Sequence, residues 1–139
     1  MKYLLDTVTL SDPFAPRPNE GVAAWVASQP DDLLCTSVIC LGEIRRGLAA
    51  LGPGSKRSRI ERWLADATAG LLEMPILPLT IEVAERWGSM IGLLERTGRR
   101  PQLIDSLIAA TALVHGLTVV TRNTRDFESC GVVTLNPWT

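Results

Sequence analysis

Short apolar runs alternate along the chain with stretches whose apolar residues return every three or four positions. Tyr3-Leu4-Leu5, Leu33-Leu34-Cys35, Ile76-Leu77-Pro78-Leu79, Thr118-Val119-Val120-Thr121 and Val132-Val133-Thr134-Leu135 predict short buried strands. Between them the spacing predicts helices. Asn19 caps one that runs through Trp25 and Val26, and Leu41, Ile44, Leu48 and Leu51 stripe a second. Ile60, Trp63, Leu64, Ala67 and Leu71 mark a third. A fourth carries Ala84, Trp87, Ile91 and Leu94 between Thr80 and Gly98, and a fifth has Pro101 in its first turn and Gly116 at its end. Strands separated by helices predict an α/β fold, a short parallel central sheet with helices on both faces. The clearest loop, Gly52-Pro53-Gly54-Ser55, is too short to divide domains and no internal repeat is present, so residues 1–139 read as one domain.

Composition narrows the function. Of 139 residues, 46% are apolar and 21% charged, the mix of an ordered globular chain. Net charge is −1, which excludes a strongly basic nucleic-acid binder and leaves any polyanion contact to local clusters. Arg outnumbers Lys twelve to two, and the planar guanidinium suits phosphate better than an ammonium does. Cys35, Cys40 and Cys130 show no C-x-x-C spacing and His115 is the single histidine, so a disulfide scaffold or a zinc site is not expected. The cysteines read as buried thiols, and Cys35, Cys40 and His115 as core or edge positions. The longest run free of Asp, Glu, Lys and Arg, Ser106 to Thr121, is sixteen residues, short of a membrane span. Asp6 interrupts the apolar start. A soluble, cytoplasmic protein without a signal peptide is the expectation.

In an open parallel sheet, ligands bind beyond the carboxyl ends of the strands, which gives acids there special weight. Asp6 follows the first strand, where it could equally cap a helix. Asp105 is the only charged residue between Arg100 and Arg122 and precedes the apolar run Leu107-Ile108-Ala109-Ala110. A helix macrodipole contributes only ~0.3–1 kcal/mol to such an acid, less than the cost of burying it without a partner. Glu43 lies off the leucine stripe of the second helix, with a solvated pair to Arg46 as its bland alternative. Asn123 and Asp126 fall in a loop after the strand ending at Thr121. Together these residues place oxygen ligands at one edge of the sheet. Carboxylates about 4 Å apart repel by ~4 kcal/mol at an effective dielectric near 20, so the cluster needs a cation or must hold protons. Hard oxygen ligands without His or Cys select Mg²⁺ or Mn²⁺, and metal-assisted phosphodiester hydrolysis is the natural reaction class. Two basic groups, Arg45 to Arg62 and Arg96, Arg99 and Arg100, could track a phosphate backbone or form solvated helix faces.

The chain resembles the PIN-domain ribonucleases. The resemblance rests on Leu4-Leu5-Asp6-Thr7, Glu43 at the beginning of a helix, and Asp105-Ser106-Leu107-Ile108-Ala109-Ala110-Thr111-Ala112. Thr121-Arg122-Asn123-Thr124-Arg125-Asp126-Phe127 resembles the family's fourth motif. The closing Asn136-Pro137-Trp138, with Pro18-Asn19-Glu20 and Trp25, resembles the VapC/FitB-type branch. It implies an endoribonuclease toxin of a type II toxin–antitoxin pair that uses Mg²⁺ or Mn²⁺, with Asp6, Glu43 and Asp105 as metal-binding acids and Asp126 as a fourth catalytic acid. It further implies a homodimer, inhibition by a cognate antitoxin, and operator DNA binding only through that antitoxin. Val8 stands where the family usually has Asn, and Asn123 where the fourth acid often falls. Arg45 and Arg46, close to Glu43, are expected with Asn123 to contact RNA or antitoxin.

Two rivals stand beside this reading. An aspartyl-phosphate phosphatase of the haloacid dehalogenase type also begins with a strand ending in Asp, but it wants Asp-x-Asp and this chain has Val8. A catalytically weak PIN fold, acting mainly as a binding partner in a DNA-bound antitoxin complex, is the other; Val8 and Asn123 favour it.

Overall fold

All five apolar runs pair, and every pairing is parallel. The computed structural model describes residues Met1–Thr139. In chain order the elements are β1 (Tyr3–Leu5), α1 (Thr7–Ser11), α2 (Glu20–Ser28), β2 (Leu34–Ser37), α3 (Val38–Ala49), α4 (Ser55–Thr68), β3 (Ile76–Leu77), α5 (Ile81–Arg96), α6 (Leu103–His115), β4 (Thr118–Val120), α7 (Thr124–Glu128) and β5 (Thr134–Leu135). The strand order is β3-β2-β1-β4-β5. Tyr3 lies opposite Leu34 on one side and Thr118 on the other, and Leu4 opposite Cys35 and Val119. Parallel strands buried on both faces need unbroken apolar or small residues. Leu4, Cys35, Thr36, Val119 and Val120 are accordingly sealed from solvent.

The chain steps outward from β1 to β2 to β3, then returns to add β4 and β5 on the other side of β1. Parallel crossovers are right-handed, so α1–α4 cover one face and α5–α7 the other. The direction reverses between β1 and β4. Their carboxyl ends form the crevice in which such sheets bind ligands, and Asp6 is the first residue past β1.

Local signals account for most helix ends. Asn19 caps α2 by accepting the Val22 N–H at 3.2 Å, and Thr80 caps α5 by accepting the Val83 N–H at 3.1 Å. Gly116 ends α6 at φ 66°, a left-handed conformation that favours glycine. Several details depart from expectation, among them Leu51, which lies beyond the end of α3, and Leu33, which precedes β2. Leu71 lies beyond α4 and is 70% exposed, because the helix stops at Thr68 ahead of Gly70. Pro101 precedes the cap Gln102 instead of entering the first turn. On α5 the inward face uses Val83 and Met90 with Trp87 and Leu94, while Ala84 is exposed. The segments after β1 and β4 form α1 and α7, five residues each and too short to show a period.

The Pro-Asn-Glu and Asn-Pro-Trp motifs meet in space. Asn19 Oδ1 accepts the Thr139 N–H at 3.2 Å while its amide donates to the Thr139 carbonyl at 3.1 Å. Gly21 makes this possible, since a Cβ there would sit 2.5 Å from the Pro137 carbonyl oxygen. Gly21→Ala is expected to lift residues 136–139 off α2 and cost ~1–3 kcal/mol, read by urea unfolding. Unchanged stability and unchanged hydrogen exchange in this segment would contradict it.

Candidate functional site

Asp6 is held from three directions. Its N–H donates to the Val120 carbonyl at 3.2 Å, extending the β1–β4 ladder one residue past the strand. Its Oδ1 accepts the Thr9 N–H at 2.9 Å and lies 2.7 Å from the Thr9 hydroxyl, which is also 2.9 Å from the Val120 carbonyl oxygen. The Thr121 side chain stands near enough to draw its pKa down. Asp6 therefore does cap α1, and the cap fixes its carboxylate at the crevice. Burial pushes its pKa up, opposed by Thr121 and by the bonds from Thr9, with Glu43 adding a smaller upward push.

Glu43 faces the same edge from α3. It is half-buried and accepts a 2.6 Å hydrogen bond from the Thr7 hydroxyl. It is the sixth residue of α3, not near its beginning, and forms no ion pair with Arg46. Asp105, third in α6, enters from the opposite face of the sheet. Its pKa is pushed up to about 6, first by burial and then by the charges of Asp126, Asp6 and Glu43. Next to it, the buried Ser106 hydroxyl donates to the Leu103 carbonyl at 2.7 Å and accepts the Trp87 indole N–H at 2.9 Å. This pair ties the first turn of α6 to α5 and sets where Asp105 emerges.

Asp126 is exposed and belongs to α7, not to a loop. Asn123 stands at the cap position of that helix without a side-chain capping bond, and its N–H donates to the Thr121 hydroxyl at 2.9 Å. Thr121 thus stands between Asp6 and the start of α7. Thr7, Thr9 and Thr121 are the positioning residues that reading for acids alone passes over. Each lies one or three residues from Asp6 or at the end of β4, which is the available signal.

Four carboxylates from four elements therefore share one edge of the sheet. None of them forms an ion pair, since the one ion pair in the molecule joins Arg57 to Glu61 on α4 at 2.9 Å. Like-charged groups without a counter-charge are the arrangement a hard divalent cation relieves, and an all-oxygen donor set suits Mg²⁺ or Mn²⁺. The residues fit such an ion in kind. In position they stop short, because no three His, Cys, Asp or Glu side chains stand close enough to hold one ion together. Asp6 is held by Thr9 and Glu43 by Thr7.

The surroundings differ by side. A cleft of about 340 Å³ beside Glu43 is lined by Thr7, Ser11, Gly47 and Lys56, and two polar clefts adjoin Asp126. Arg45 and Arg46 are exposed and line none of the three. The largest groove, about 580 Å³, is apolar and holds none of the four acids, touching the site only through Leu5 and Thr9. Burial pushes the Cys40 and Cys130 thiols up, so neither offers a thiolate nucleophile.

Comparison with known proteins agrees with this geometry. The family model described as PIN domain matches residues 3–131. VapC ribonuclease Y4jK of Sinorhizobium fredii is 32% identical over 135 residues, covering 97% of this chain and 96% of the relative. Toxin FitB of Neisseria gonorrhoeae is 36% identical over 97% of both chains. The crystal structure of FitAcB from Neisseria gonorrhoeae superposes with a TM-score of 0.88 at 36% identity over 98% of both chains. The structure of FitAB bound to an IR36 DNA fragment gives 0.88 at 34% identity, covering 99% of this chain and 96% of that one. The sheet order, the acidic edge and these full-length matches agree, and the chain belongs to the PIN-domain family, with VapC- and FitB-type proteins as its relatives.

Proposed function

We propose that this chain is a divalent-metal-dependent endoribonuclease, the toxin of a type II toxin–antitoxin pair. The observation that carries the reading is that the charges of Asp126, Asp6 and Glu43 all reach Asp105 at the β1–β4 crevice while none of the four acids forms an ion pair. Relatives named as a ribonuclease and a toxin over nearly the whole chain support it. In this reading Asp6, Glu43 and Asp105 hold Mg²⁺ or Mn²⁺, with Asp126 at the exposed rim as a fourth acid. When bound, the ion supplies Lewis-acid stabilisation of phosphoryl charge and an acidic water. The chain's part is positioning. Thr9 fixes Asp6, Thr7 aims Glu43, and the Trp87–Ser106 bond sets Asp105.

The same reading includes a cognate antitoxin that inhibits the toxin, operator DNA reached only through that antitoxin, and a homodimer. Structures of related proteins in complexes, one of them on DNA, support the partner. The placement is cytoplasmic, where the three free, buried cysteines stay reduced. No helix is long and apolar enough to cross a membrane.

Partner-free protein incubated with structured RNA is expected to cleave it internally with Mg²⁺ or Mn²⁺ and to stop on addition of EDTA. Cleavage that persists in EDTA would refute the metal role. No cleavage under any divalent ion would leave the chain as a binding partner in an antitoxin complex.

A further inference from the structure

The two polar clefts beside Asp126 are contiguous. One, about 390 Å³, is lined by Arg122, Asn123, Thr124, Arg125 and Asp126. The other, about 320 Å³, is lined by Arg99, Arg100, Gln102, Arg125, Asp126 and Ser129 with Pro101. Arg125 and Asp126 belong to both. Residues from the α5–α6 connection and from the start of α7 thus bring four guanidinium groups to one surface in a chain whose net charge is −1. All four arginines are exposed and none makes an ion pair. Four neighbouring cations with no internal partner repel one another, a cost that a polyanion removes.

Position selects the polyanion. The surface is continuous with the acidic edge through Asp126, whose charge Asp105 feels. A strand lying across the carboxylates would run directly onto it. No aromatic side chain lines either cleft, so the surface meets backbone phosphate and not stacked bases. Guanidinium forks bind phosphate oxygens in pairs, which suits arginine to this task.

We infer that Arg99, Arg100, Arg122 and Arg125 form a phosphate-binding site for single-stranded RNA next to the phosphodiester that is cut. The inference rests on the ribonuclease reading for its substrate and assigns the flanking phosphates to the α6–α7 side of the crevice, away from Arg45 and Arg46.

The test measures binding of the full chain, in EDTA, to a labelled single-stranded RNA of about 12 nucleotides by fluorescence anisotropy over a KCl series. Arg99→Ala/Arg100→Ala and Arg125→Ala are compared with a control, Arg17→Ala/Arg62→Ala, which removes arginines from elsewhere on the surface. The double variant is expected to bind at least ~10-fold more weakly and to flatten the log–log salt slope by about 0.7 for each phosphate no longer neutralised. The control is expected to change neither. Unchanged affinity and slope, or an equal effect in the control, would overturn the site. Binding is read without catalysis, so a wild-type chain that cleaves no RNA under Mg²⁺ or Mn²⁺ sinks the ribonuclease reading separately.

Discussion

Replacing Asp105 with Asn is expected to reduce metal-dependent RNA cleavage by at least ~100-fold, about 2.7 kcal/mol of lost transition-state stabilisation. The substitution is isosteric and removes only charge. Asp105 sits where the charges of Asp126, Asp6 and Glu43 all reach it, and it approaches from the opposite face of the sheet to Glu43. Asp6→Asn is expected to lose as much, with added damage because its carboxylate also caps α1 through the Thr9 N–H. Asp126→Asn, at an exposed rim position, is expected to lose only about 10-fold. Initial rates on one RNA with Mg²⁺ and with Mn²⁺ measure all three, with circular dichroism confirming that each variant folds. An Asp105→Asn protein that keeps most of its rate would remove Asp105 from the reaction. A loss at Asp126 equal to that at Asp105 would make the fourth acid indispensable.

The sheet was legible in the sequence because each strand is a compact apolar run and each long helix has a period or a cap. Thr80, Asn19 and Gly116 mark ends that hydrogen bonding and left-handed backbone confirm. Legibility failed where an element is shorter than its own period, as in α1 and α7, and this placed Asp126 in a loop when it lies on a helix. The acids could be found because an unpaired carboxylate in an apolar neighbourhood is costly wherever it appears. Their supports could not. Thr7, Thr9, Thr121 and Ser106 are ordinary in a sequence, and only the fold puts Thr7 against Glu43, 36 residues away, or Thr121 against Asp6. Nearness in sequence is likewise a poor guide to which charges share a cleft. Arg45 and Arg46 are near Glu43 in sequence yet line none of the clefts at the acidic edge, whereas Arg99 and Arg125, distant in sequence, share one.

In the metal-free protein, Asp105→Asn is expected to raise thermal stability at pH 7.5 while it removes activity. The Asp105 carboxyl titrates at about 6 in the folded chain against 3.8 when unperturbed, held up first by burial and then by its acidic neighbours. The folded state thus binds this proton more tightly than the unfolded state does. Above pH 6 both states are ionised, and the folded one bears the whole penalty. As pH falls from 6 towards 3.8 the folded form takes up the proton and the penalty fades; below that it is gone. Because Asp105 is only half-buried, solvent screens much of the effect, and ~1 kcal/mol, or about 2–4 °C in melting temperature, is the expected size. The wild type should therefore melt below Asp105→Asn at pH 7.5 and together with it near pH 4. Mg²⁺ or Mn²⁺ should close the gap at pH 7.5 by stabilising the wild type alone, since an ion that binds only the folded state raises its stability by mass action. Melting curves of both proteins at the two pH values, with and without the ion, decide the matter. A gap that is unchanged by pH would mean that the charge of Asp105 is not what strains the fold. A gap indifferent to the ion would mean that the acidic edge does not hold one.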